Sequence, residues 1–313
     1  MWKTWIMAVV AFAGLAGLLD LAVTRLIARS CPLADSYRIQ HLFEDNSDAI
    51  PIFGNSRALG HYCPADMGIA AFNYGLDGTS FEVMDALLQI ELAKTRTTPL
   101  IVELQFYDTE ALGYEGNFIP FVSDPRIRGV LGHFHALHWW YFLPGFRYFG
   151  NYEFYFKSFM LLKLHIFKVS QGFHELTRIP PFDPVQLQEF VRQHAGMANG
   201  YFQTEDQQHR LIALIKEHPR RLFILTISPY HPCHFIDFKN GDRLAAFKAA
   251  LSALPNVVLL DNSRQACPDN YWLDTIHLRR PAAAIYSKAV GEKIRAALQE
   301  RGLPVPGDPG AAK

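Results

Sequence analysis

The chain has 313 residues, half of them hydrophobic, and its 30 Lys and Arg balance 30 Asp and Glu to a formal net charge of zero. That length allows one large domain or two small ones with an extensive core. The balanced charge lacks the basic bias of nucleic-acid binders, so no nucleic acid is expected as a partner.

Residues Trp5 to Leu19 carry no charge, and the apolar character continues past Asp20 through Leu21-Ala22-Val23 to Leu26-Ile27-Ala28. As one helix this stretch is long enough to cross a bilayer. No small-x-small site closes it, and Ala28-Arg29-Ser30 makes a poor lipoprotein box before Cys31. The expectation is therefore an uncleaved transmembrane anchor over 1–30 rather than a signal peptide. Asp20 is costly inside a span unless it lies near an interface or meets a partner. Lys3 on one side and Arg25 and Arg29 on the other leave orientation open. The short N-terminal tail favours export of the bulk of the chain. An exported domain permits disulfides, and four cysteines allow three pairings. Cys31–Cys63 and Cys233–Cys267 are the expected bridges, because each joins segments at one end of the strand order below. Four free or partly buried thiols are the alternative.

Residues 31–47 read as a polar linker into a domain over 48–301. Apolar runs then alternate with amphipathic stretches. Strands are expected at Ala49–Phe53, Ile69–Asn73, Pro99–Leu104, Arg221–Ile227 and Asn256–Leu260. Helices are expected over about 80–95, 205–218, 240–254 and 281–300. The first of these opens with the capping-box pattern Thr79-x-x-Glu82, and the last with Pro281 in its first turn. Alternation of this kind implies the α/β class, with a mostly parallel sheet and helices on both faces. Its site is expected at the carboxyl ends of the strands. The stretch 109–204 breaks the pattern and is crowded with aromatics, including Trp139-Trp140-Tyr141-Phe142. It reads as an inserted cap or lid, with ordinary core packing or a membrane interface as alternatives. The tail 302–313 is rich in Gly, Pro and Ala and is expected to be disordered.

Two short signatures carry the chemistry. Gly54-Asn55-Ser56-Arg57 follows the first strand, and Asp274-Thr275-Ile276-His277 follows the fifth. A serine hydroxyl is a weak nucleophile until a base takes its proton and a third group fixes that base. Ser56, His277 and Asp274 supply those three roles. The backbone N–H groups of Ser56 and Gly78 are candidate donors to an oxyanion. Asn55, Arg57, Asn73, His231 and His234 are candidate substrate contacts, with a salt bridge as the alternative for Arg57. His133, His135 and His138 lie close together, but they lack the spacing of a zinc site, so neither metal nor cofactor is expected.

Gly54-Asn55-Ser56-Arg57, Phe72-Asn73-Tyr74-Gly75-Leu76-Asp77-Gly78 and Asp274-Thr275-Ile276-His277 resemble the first, second and fifth blocks of the SGNH (GDSL-like) hydrolase superfamily. The resemblance covers about 48–108 and 205–298. It implies a flavodoxin-like three-layer sandwich, Ser56 as nucleophile, Gly78 as oxyanion donor, and Asp274 and His277 completing a triad. Two positions depart from the family pattern. Asn55 stands where the family usually has Asp, and Tyr107 stands where an Asn amide usually completes the oxyanion hole. Gln105 and Tyr107 are the candidates to replace that amide. The departure at Tyr107 is similar to what membrane-anchored branches that modify cell-envelope polymers show. The resemblance implies an exported esterase or O-acyltransferase on the bacterial inner membrane, facing the periplasm. The implied partners are an acylated polysaccharide or lipid and a membrane-bound O-acyltransferase. A lipase or thioesterase with an aromatic lid, and a catalytically weak scaffold, are the alternatives.

Overall fold

The computed structural model describes residues 1–30, 35–105, 115–132, 138–148, 169–170, 173–174, 184–193, 195 and 205–308. Contacts divide the chain into two compact units, Met1–Asp45 with Tyr114–Lys168, and Asn46–Gly113 with Val169–Lys313. The stretch expected as one insertion is thus shared between them.

The first unit begins with α1 (Trp2–Ser30), whose segment Trp2–Leu26 is long and apolar enough to cross a membrane. Helix α2 follows at Asp35–Glu44, where the sequence reads as a linker. Its apolar face is narrow, Ile39 and Leu42, and the polar residues beside it are also buried. Burying a charge requires a partner. Asp35 has two, Arg38 at 2.7 Å and the Asn117 amide at 2.7 Å. Phe43 packs edge-on against Phe121.

The second unit is built on a five-stranded, all-parallel sheet of β1 (Ile50–Phe53), β2 (Ala71–Asn73), β3 (Leu100–Glu103), β6 (Phe223–Ile227) and β7 (Val257–Asp261). A short antiparallel hairpin of β4 (Val169–Ser170) and β5 (Phe173–His174) is separate. The sheet order is β2-β1-β3-β6-β7. Parallel sheets are covered on both faces, so their strands are continuous apolar runs rather than alternations. Every residue of β1, β3 and β6 is buried accordingly. Pro51 fits this sheet because the ladder from β1 to β3 begins only at Ile52, so its missing N–H breaks no pair.

Among the described residues of this unit the α-helices are α3 (Ser56–His61), α4 (Phe81–Leu92), α5 (Pro184–Gln193), α6 (Glu205–Glu217), α7 (Gly241–Ser252) and α8 (Arg280–Glu300). On one face of the sheet Ile50, Ile52, Ile101 and Ile224 form a core with Ala58 of α3, Tyr62 just after it, and Tyr286, Val290 and Ile294 of α8. Residues of opposite parity, Phe53, Leu100, Val102, Phe223 and Leu225, are buried on the other face. Helices α4 and α6 lie side by side, joined by Gln207–Glu82 and Arg210–Asp85.

Two further expectations are corrected. Cys63, Cys233 and Cys267 are free thiols, so neither expected bridge forms. Burial and a bond to Asp66 push the Cys63 thiol up to about 11, and burial pushes Cys233 to about 11. Cys31 lies outside the described residues. The start of the tail is ordered, because Val305 is buried, Pro306 O accepts from Ala70 N at 2.8 Å, and Asp308 pairs with Arg295 at 2.6 Å.

Candidate active site

The chain leaves β1 through Gly54 at φ +151°, where a Cβ would stand 2.7 Å from Ala58 Cβ and 2.9 Å from Glu103 Cβ. Only glycine permits that exit at this spacing. Asn55 then caps α3, its Oδ1 accepting from Arg57 N at 2.9 Å, and Ser56 is the first helical residue.

Beyond β7 the loop 272–278 closes on itself. Trp272 and Leu278 form an isolated antiparallel bridge, and Leu273 N donates to His277 O at 2.9 Å. Trp272, Leu273 and Leu278 anchor this loop in the core. Within it Asp274 Oδ1 accepts from the backbone N–H groups of Ile276 and His277, each at 2.7 Å. Asp274 Oδ2 accepts from His277 Nδ1 at 2.7 Å. That bond fixes the proton on Nδ1 and leaves Nε2 as an acceptor. Nε2 stands 2.8 Å from Ser56 Oγ. Burial alone would raise the Asp274 carboxyl. The ring hydrogen bond, the imidazole charge and the two backbone donors outweigh it and hold the group below the usual carboxylate value. The side chains of His277 and Asp274 remain 16% and 23% exposed. The arrangement can draw a proton from Ser56 Oγ while the imidazole stays oriented.

Gly78, between β2 and α4, adopts φ +60° with open space where a Cβ would point. Glycine is required there by conformation, not by clearance. Gly75 is the close-approach position, since a Cβ would meet Leu59 N at 2.5 Å. Gln105 is buried just past β3, and Tyr107 lies outside the described residues.

The candidate substrate contacts turn inward. Asn73 is fully buried and donates to Ala58 O at 2.7 Å and Tyr62 O at 2.8 Å, while its Oδ1 accepts from Gly75 N at 2.9 Å. It ties the β2 exit to α3. Arg57 is 1% exposed and pairs with Glu103 at 3.2 Å, with its guanidinium 3.3 Å from the Tyr230 ring centroid. His231 N donates to Thr275 O at 3.1 Å and its Nδ1 accepts from Cys233 N at 3.2 Å. His234 Nε2 lies 2.8 Å from Thr275 Oγ1. The His231 backbone and the His234 ring thus hold Thr275, in the loop between Asp274 and His277.

Sequence reading missed the layer beneath this set. Glu103 closes β3, is wholly buried, and gathers Arg57, Tyr62, Thr226 and Ser228. Ser228 Oγ lies 2.5 Å from Glu103 Oε1 and 2.8 Å from His61 Nδ1. His61 Nε2 accepts from Leu278 N at 3.0 Å, which leaves the proton on Nδ1. His61 thus holds the residue next to His277. Burial above all, with Arg57 and His277 nearby, keeps its pKa well below the ordinary 6.5 and the ring neutral. The available signal was the lone carboxylate ending Leu100-Ile101-Val102-Glu103.

A cavity of about 530 Å³ between α7, β7 and α8 has Lys248, Arg264 and Lys293 in its wall but none of Ser56, Asp274 or His277. Among the described residues no group of three His, Cys, Asp or Glu side chains can hold a metal ion; His133 and His135 lie outside those residues. In comparison with known proteins, no family model and no curated protein matches this chain.

Proposed function

We propose that the sheet-bearing unit is an SGNH-type serine esterase or O-acyltransferase of flavodoxin-like three-layer build. One observation carries the reading. Asp274, His277 and Ser56, brought from opposite ends of the sequence, form an unbroken hydrogen-bonded line with the imidazole in the tautomer a base requires. The sheet order supports it, because it sets the ends of β1 and β7 around the carboxyl edge where open α/β sheets hold their ligands.

In this reading Ser56 Oγ attacks an acyl ester carbonyl as its proton passes to His277 Nε2. Backbone N–H groups of Ser56 and Gly78 receive the oxyanion. The tetrahedral intermediate collapses, the alkoxy group leaves with the proton from His277, and an acyl-Ser56 ester remains. A water or sugar hydroxyl then attacks that ester, giving its proton to His277 and releasing Ser56. The favoured acyl group is acetyl, and the favoured substrate is a cell-envelope polysaccharide. With α1 as a single-pass anchor, the unit works outside the cytoplasmic membrane beside a membrane-bound O-acyltransferase. Hydrolysis of p-nitrophenyl esters of increasing chain length tests the reading. Turnover greatest for acetyl and absent in Ser56→Ala supports it, a preference for long chains favours a lipase, and equal rates in the two proteins rule out the serine mechanism. Loss of acetyl from the surface polymer in a deletion strain supports transfer.

A further inference from the structure

We infer that the segment Trp139–Tyr148 is a second membrane-seated element, embedded in the lipid interface beside α1 and fastened to it through Asp20. The partner of its exposed face is the bilayer itself.

The fastening lies along one stripe of α1. Gly145, at φ +83°, approaches so closely that a Cβ would stand 2.9 Å from Ala16 Cβ. Asp20 pairs with Arg147 Nε at 3.0 Å and accepts from Gly145 N at 3.2 Å. The hydroxyls of Thr24 and Tyr148 are hydrogen-bonded. Residues 16, 20 and 24 are spaced four apart and share a helix face. Asp20 is 6% and Arg147 9% exposed at the side chain, so the carboxylate is withdrawn from the surroundings of α1. A carboxylate within a span needs such a partner. Leu15, Leu18, Leu19 and Leu21 remain exposed.

The segment adds apolar surface of its own. Trp139 is 70%, Phe142 49%, Leu143 40% and Phe146 51% exposed, four large apolar side chains within eight residues. A patch of this kind needs a cover, and its continuity with the apolar surface of α1 points to lipid. The aromatic pattern agrees. Membrane-spanning elements carry Trp and Tyr at both interfaces. Trp2 and Trp5 serve one end of α1, but the helix has no Trp or Tyr after Trp5. The helix from Trp2 to Thr24 rises about 33 Å, close to the thickness of the hydrocarbon core. The Trp139–Tyr148 segment therefore supplies the missing belt at the far interface.

The test uses the full chain in vesicles of phosphatidylcholine and phosphatidylglycerol, some brominated at the 6,7 positions of one acyl chain. Trp2, Trp5 and Trp140 are replaced by Phe, leaving Trp139 and the buried Trp272 as reporters. Brominated lipid should quench Trp139 strongly and aqueous acrylamide should not, with the quenchable component lost on Trp139→Phe. Asp20→Asn should cut the lipid quenching at least twofold while the protein still floats with the vesicles. Trp139 quenched by acrylamide but not by brominated lipid would overturn the inference and leave the patch to a protein partner. Unchanged quenching in Asp20→Asn would overturn the fastening. Failure to float would overturn the spanning role of α1 on which both rest, without bearing on esterase activity.

Discussion

Among the described residues of the sheet-bearing unit, two hydroxyl–histidine–carboxylate sets differ in burial and in the order of their donors. In the first, Ser56 meets the acceptor nitrogen of His277, whose other nitrogen donates to Asp274, and the imidazole and carboxylate are partly open to solvent. In the second, His61 Nδ1 donates to Ser228, Ser228 donates to Glu103, and all three residues are fully buried. The order of donors decides what each can do. A histidine that accepts from a serine can withdraw its proton. A histidine that donates to a serine can only hold it in place. His61 spends its remaining acceptor on Leu278 N, beside His277. The buried set therefore positions the loop of the exposed one, and the same three functional groups, in a different order, leave an acceptor facing Ser56 in one layer and a fixed scaffold in the next.

The sharpest way to break that comparison is to remove each serine. Ser56→Ala should lower ester turnover by roughly a millionfold, the scale seen when a serine nucleophile is lost, with thermal unfolding unchanged. Ser228→Ala should do the reverse, keeping phosphonate reactivity while destabilising the fold by about 1–3 kcal/mol through unsatisfied buried partners. Comparable loss of turnover in the two variants, at equal stability, would erase the distinction.

The next largest effect concerns the buried ion pair. Glu103→Ala leaves Arg57 buried without its carboxylate and should cost about 3–5 kcal/mol in denaturant unfolding. A loss under about 1 kcal/mol would mean that the guanidinium is satisfied by the Ser228 and Pro229 carbonyls alone.

His61 adds a pH signature. Its folded pKa lies well below the ordinary 6.5 because burial opposes the imidazolium. Below about pH 6.5 the unfolded chain binds a proton that the native state refuses, so stability falls with falling pH until the folded pKa is reached. His61→Gln should flatten the stability profile below about pH 6.5. An unchanged slope would assign that acid sensitivity elsewhere. Asp274 acts in a lower window, since its depressed pKa makes it stabilising above the ordinary 3.8 and that contribution is lost as pH falls below it. The smallest effect is expected from Asn55→Ala, which removes the α3 cap and should cost about 1 kcal/mol. Retained turnover would confine Asn55 to capping.

The same contrast explains what was legible in the sequence. The strands were, because runs such as Ile50–Phe53 and Phe223–Ile227 are short, almost wholly apolar and ended by Gly54 or Ser228-Pro229. The meeting of Ser56, Asp274 and His277 was, because parallel strands bring the loops that follow them to one edge. Helix α2 was hidden because its buried face includes Asp35 and Arg38, which satisfy each other and so do not scan as apolar. Glu103 was hidden for the same reason, as a buried carboxylate is intelligible only with its partners. The inward roles of Arg57, Asn73 and His234 depend on side-chain direction, which spacing does not set. Disulfide pairing depends on distance, and order along the strands was no substitute.

The most direct test treats the full chain with a fluorophosphonate and locates the adduct by peptide mass spectrometry. The expected result is one phosphonyl group per chain, on Ser56, lost in Ser56→Ala, strongly reduced in His277→Ala and undiminished in Ser228→Ala. Labelling that survives Ser56→Ala, or wild-type protein that takes no label while folded, would contradict Ser56 as the nucleophile.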